Sequence, residues 1–208
     1  MNGNQKNMNV SSILKLTLTA VFLAIIIVMS FTPLGYLKIG TVEISLLTIP
    51  VAAGAAILGI GGGAFLGLAF GISSLIQCFG MSAFGTALMG INPVFTAIMC
   101  IVPRVFVGIV PALIYKALEN KNLQVNVASL IAFLAAAITN TVLFVGSFIL
   151  FFGRTEFYSG LETQFGTTGI IAFFAAFVGV NGIIEAIAGG AIGGALGGVI
   201  KRLKKQKI

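Results

Sequence analysis

ISLLTIPVAAGAAILGIGGGAFLGLAFGISSLIQCF, residues 44–79, carries no charged side chain. A helix needs roughly 20 apolar residues to cross the hydrocarbon core of a bilayer, so this stretch is too long for one crossing. It is punctuated at Gly59, Gly61, Gly62 and Gly63, and clustered glycines break helices and allow tight turns. We read two spans, residues 44–60 with Pro50 inside and residues 62–79, joined by a very tight turn. A soluble core helix does not stay apolar on every face over such a length.

The same pattern extends in both directions. Residues 13–31, 93–117, 125–152 and 168–200 form four further apolar runs. The run at 13–31, with Lys15 at its start, has the look of a signal peptide. It is long and no small-residue cleavage site follows it, so it reads as a span. The last run exceeds one crossing and must tilt, kink or project beyond the bilayer. The 208 residues are 58% hydrophobic and 8% charged, with 27 glycines. That composition leaves too little polar surface for a soluble domain.

The fold class read from the sequence is all-α, a polytopic integral membrane protein with six transmembrane helices. Residues 1–12 form a polar N-terminal segment, disordered or interfacial. Residues 13–200 are the six-helix transmembrane domain, and residues 201–208 are a basic tail suited to anionic lipid. The connection at 32–45 reads as a loop, as does 153–167, and 80–92 as a longer loop or partial helix. Six crossings put both ends on one side, and the bias of Lys and Arg sets which. Lys6, Lys15, Lys116, Lys121 and the five tail cations fall on the side of the termini, whereas Lys38 and Arg154 fall on the other. Both termini are therefore expected to be cytoplasmic, with the two longest polar loops outside.

The chain has no histidine, which excludes a histidine-based triad and an imidazole general base. Its glycine runs contain no G-x-x-x-x-G-K-[ST], so it cannot hold ATP in that way. No catalytic residue, metal or cofactor is expected. Cys78 and Cys100 lack metal-ligand spacing and read as small buried hydrophobes. The net charge of +7 arises mostly from the tail, which suits a lipid surface and not nucleic acid.

Two charges fall inside spans, Arg104 after Pro103 and Glu185. A charge at mid-bilayer costs roughly 2.5 to 3.5 kcal/mol on insertion scales, so such residues face the protein interior. Two readings stand: a structural Arg104–Glu185 pair, or a substrate or ion path. At 1.5 Å per residue, Arg104, Asn140 and Asn181 lie about 17, 18 and 20 Å below the outer ends of their helices. If those helices are neighbours, all three line one pocket, with Arg104 pairing an anionic ligand. The asparagines can equally serve as interhelical glue. Gln77 and Asn92, nearer the outer loops, are further candidates.

Four stretches carry a resemblance: FTPLGYLKIG (31–40), LTIPVAAGAAILG (47–59), GAFLGLAFGISS (63–74) and VPRVFVGIV (102–110). With six spans and Ala20-x-x-x-Ala24 in the first, the chain resembles the substrate-binding S component of energy-coupling factor (ECF) vitamin transporters. It is most like the pantothenate-specific subunits and less like the riboflavin ones. The resemblance implies a bacterial plasma-membrane protein that captures a vitamin, pantothenate first, from outside. It implies a membrane-embedded coupling subunit and two cytoplasmic ATPases as partners, and toppling in the bilayer to release the load. It also implies that Ala20 and Ala24 meet the coupling subunit and that the first outer loop, with Tyr36 and Lys38, closes over the ligand. Another vitamin, or a stand-alone ion-coupled secondary transporter, remains the alternative.

Overall fold

The computed structural model describes the backbone of residues 2–39, 42–121 and 123–205, and the side chains of these except 2–11, 37–44, 177, 178, 180, 181, 204 and 205. The chain runs α1 (Asn2–Ser30), β1 (Tyr36–Ile39), β2 (Val42–Ser45), α2 (Thr48–Gln77), α3 (Ala83–Ile91), α4 (Pro93–Asn120), α5 (Val125–Phe152), α6 (Glu156–Gln164) and α7 (Ile170–Lys205). Among the described residues, five helices contain segments long and apolar enough to cross a membrane: Ser12–Ser30, Thr48–Gln77, Pro93–Asn120, Val125–Phe152 and Gly182–Leu203.

The helical fold class expected from the sequence stands, and what differs is local. The expected loop at 32–45 contains a short antiparallel hairpin. It pairs Tyr36 with Ser45 and Lys38 with Glu43. Leu37, Ile39, Val42 and Ile44 alternate with polar residues there, a period-two pattern that suits a strand. The N-terminal segment is helical from Asn2 as the first turns of α1, which is compatible with the interfacial reading. A short helix lies at 83–91, within the loop or partial helix expected at 80–92, and a second at 156–164 where a loop is expected, each opened by a hydroxyl cap. Ser82 accepts from the Gly85 N–H, and Thr155 from that of Tyr158.

The second helix is not one rod. Gly59 has φ 77° and ψ −167°, a conformation that only glycine adopts without strain. A straight helix would separate Gly54 from Leu66 by about 18 Å. Yet a side chain placed on Gly54 would collide with Leu66, and one on Gly63 would lie 2.9 Å from the Ala55 methyl. The two arms, residues 48–58 and 60–77, therefore fold back on each other at Gly59. The first arm is about 16 Å long, short of a full hydrocarbon thickness.

The second arm lies against α4 almost backbone to backbone. Gly63 abuts the Gly108 carbonyl, Gly67 the Arg104 carbonyl, and Gly71 sits 2.9 Å by its would-be Cβ from the Ile101 Cα. Glycines one turn apart permit this approach. Further on, α4 is antiparallel to α5, with Phe95 stacked on Phe151 at 4.8 Å. In turn α5 is antiparallel to α7, whose Gly193 rests on Phe133 and Gly197 on Asn126. Ser30 at the end of α1 donates to Ser73 at 2.8 Å and its carbonyl accepts from Gln77 Nε2 at 2.8 Å. These contacts place the start of α1 and the end of α7 at one end of the bundle. The hairpin, α3 and α6 occupy the other.

Replacing Gly67 with Ala drives a methyl into the Arg104 carbonyl and should cost about 1–3 kcal/mol. Gly146→Ala, whose new methyl meets nothing within 4 Å, should leave stability unchanged or slightly raised. Thermal unfolding in detergent compares them, and equal midpoints would contradict the backbone-to-backbone contact.

Candidate functional site

Pro103 explains why Arg104 can live inside the bundle. Proline has no N–H, so the carbonyl four residues earlier loses its helical donor. That carbonyl belongs to Met99, and Arg104 Nη1 donates to it at 2.7 Å. The guanidinium carbon lies 4.4 Å from the centre of the Phe144 ring and 5.5 Å from that of Phe70, a favourable setting for a desolvated cation. Arg104 is 5% exposed.

Opposite stands a carboxylate held by α5. Asn140 Nδ2 donates to Glu185 Oε1 at 3.0 Å, and Thr141 Oγ1 donates to Oε2 at 3.3 Å. Both donors come from adjacent residues on α5, and the carboxylate comes from α7. Among the described residues, Arg104 and Glu185 form no direct ion pair. They face a common cavity of about 60 Å³. A single water needs roughly 10–15 Å³, so there is room for several.

Two polar atoms on residues that line this cavity have no hydrogen-bond partner among the described residues, the Arg104 Nε donor and the Asn140 Oδ1 acceptor. Buried polar groups are nearly always paired, so an unfilled donor and an unfilled acceptor on one cavity point to a ligand or ordered water. Around them stand the hydroxyls of Ser45, Ser74 and Ser82, the Gln77 amide and the Tyr36 phenol. Gln77 Nε2 also donates to the Tyr36 hydroxyl at 3.3 Å, tying α2 to the hairpin. The apolar wall is Phe84 and Gly85 of α3, Met99 and Phe144, and the two cysteines.

Of the residues singled out in the sequence, the structure brings Arg104, Asn140, Gln77 and Tyr36 to this cavity, together with Glu185. Asn92 is not among the lining residues. Its Oδ1 accepts from the Val94 and Phe95 N–H groups at 3.1 Å, so it serves as the N-cap of α4. The side chains of Lys38 and Asn181 lie outside the described residues. Sequence reasoning missed Ser74, Cys78, Cys100, Thr141 and Phe144. A signal was present: Ser74 and Cys78, Cys100 and Arg104, and Asn140 and Phe144 are each four apart, hence on one helical face.

Residues 14–201 match the family described as ECF transporter, substrate-specific component. The chain belongs to this family. It is 33% identical over 184 residues, 84% of this chain and 85% of the relative, to the pantothenate transporter PanT of Leuconostoc mesenteroides. It is 32% identical over 147 residues, 65% of this chain and 72% of the relative, to the pantothenic acid transporter PanT of Lactococcus lactis. As a substrate-specific component it is a transport protein, and its apolar helices are those of a multi-pass membrane protein.

The carboxylate network yields a stability test. Glu185→Gln keeps an acceptor for α5, whereas Glu185→Leu strands the Asn140 and Thr141 donors at about 1–3 kcal/mol each. The Leu variant should melt well below the Gln variant in detergent. Indistinguishable melting would show that these hydrogen bonds do not hold α7 to α5.

Proposed function

We propose that this chain is the vitamin-binding S component of a bacterial ECF transporter and that its ligand is pantothenate. The observation that carries the reading is the buried Arg104, its Nε donor without a partner among the described residues, on a cavity that several polar side chains also line. Pantothenate has one carboxylate, two hydroxyls and an amide. A guanidinium matches a carboxylate. Asn140 Oδ1 accepts from a hydroxyl or amide N–H, and the serines and Gln77 satisfy the remainder. Two relatives bearing the pantothenate name support the same ligand.

In this reading the chain crosses the plasma membrane six times, the reversal at Gly59 dividing α2 into two passes, and both termini are cytoplasmic. The shared end of the bundle that holds the start of α1 and the end of α7 supports an even number of crossings, and the Lys and Arg bias supports the side. The cavity then lies toward the exterior. The hairpin, with Tyr36 and Lys38, closes over the ligand, and Asn181 on α7 is a further contact. Asn92, engaged as a cap, is left out. Ala20 and Ala24 lie exposed on α1, amid exposed Val21, Ile25 and Val28. That face meets the coupling subunit, which joins the chain to two ATPases.

Arg104→Ala should weaken pantothenate binding at least about tenfold, the loss of a charge-assisted contact worth roughly 1.5–3 kcal/mol. Isothermal titration of purified protein decides, and unchanged affinity would remove Arg104 from the site. Uptake into liposomes should require the coupling subunit and ATPases. Uptake by this chain alone under a proton or sodium gradient would instead establish a secondary transporter.

A further inference from the structure

Cys78 and Cys100 come from different elements, yet their sulfurs lie 3.7 Å apart, and neither is in a disulfide. They are 5% and 2% exposed. What exposure they have is to the cavity, whose wall they share with Arg104. Cys100 stands one helical turn from Arg104 on α4. Cys78 closes the C-terminal end of α2, where its sulfur contacts the Ser74 carbonyl at 3.3 Å. A side chain on Gly85 of α3 would lie 2.6 Å from that sulfur, so α3 packs directly on the thiol. A disulfide has sulfurs about 2.05 Å apart, so closing the bond needs an approach of about 1.7 Å.

We infer that Cys78 and Cys100 form a reversible dithiol–disulfide site in the cavity wall, and that closing it weakens ligand binding. The oxidant is a small disulfide. One cysteine thiolate attacks it, forming a mixed disulfide and releasing one thiol. The second cysteine then attacks the protein sulfur of that mixed disulfide and releases the other thiol. Two cysteine thiols are oxidised to one disulfide, and one small disulfide is reduced to two thiols. The new bond ties the outer end of α2 to α4 and draws Cys78 away from its seat against Ser74 and Gly85, which shifts α3 over the cavity. Disulfides persist in compartments outside the cytosol. The outward-facing cavity of the proposed function meets that condition, and the coupling to affinity rests on that function. The thiol chemistry does not.

The test uses the full chain in detergent, equilibrated with 2-mercaptoethanol and its disulfide. Intact mass should fall by two hydrogen masses as the disulfide share rises, with no dimer, and return on reduction. Cys78→Ser and Cys100→Ser, each lacking the resolving thiol, should show no two-hydrogen loss and should stop at the mixed disulfide with 2-mercaptoethanol. Two thiols still free in the wild type, or cross-linking between chains, would overturn the site whatever the ligand. Oxidised protein should bind pantothenate about fivefold or more weakly, and by reciprocity saturating pantothenate should shift the dithiol–disulfide equilibrium toward the dithiol by the same factor. A disulfide that forms with affinity unchanged would overturn the coupling. Absence of pantothenate binding by the reduced protein, with the mass change intact, would count against the pantothenate reading and leave the thiol site standing.

Discussion

Three glycines one turn apart, Gly63, Gly67 and Gly71, let the second arm of α2 touch the backbone of α4. In lipid there is little hydrophobic drive between helices, so close van der Waals contact has to supply the association. This contact sets where everything else can stand. It fixes the height of Arg104, whose own carbonyl meets Gly67. It also brings Cys78 within reach of Cys100, and it leaves the far side of α4 free to receive α5.

Around that contact the polar groups are arranged so that the burial of charge is tolerable. Pro103 releases a carbonyl that Arg104 then uses, and two phenylalanine rings flank the cation. Glu185 is held by two donors from α5. The two groups face a common cavity and form no direct pair among the described residues. The structural-pair reading of the sequence is thereby set aside in favour of two supported charges facing common space.

The end of the bundle that holds the hairpin is built differently from the long apolar helices. A hairpin, two short capped helices and a cluster of aromatic rings sit over the cavity, with Phe84 in contact with Phe144, Phe148 and Phe157. Gln77 ties the hairpin to α2 through the Tyr36 hydroxyl. The long helices carry the charged groups, and the hairpin and the short helices lie at the end of the bundle beside them.

Hydropathy alone determined the membrane class, the apolar runs and the turn at Gly59, because a bilayer demands long uncharged segments and glycine marks where they break. It also exposed Arg104, Asn140 and Glu185, since polar groups in such segments are rare. The sequence could not show that Cys78 and Cys100 share a wall, that Asn92 caps a helix, or that Thr141 and Asn140 grip Glu185. Those facts depend on which helices are neighbours and how each is rotated. Helix neighbours are chosen by small-residue contacts between distant parts of the chain, and in a sequence with 27 glycines the pattern fits many partners until the tertiary structure selects one.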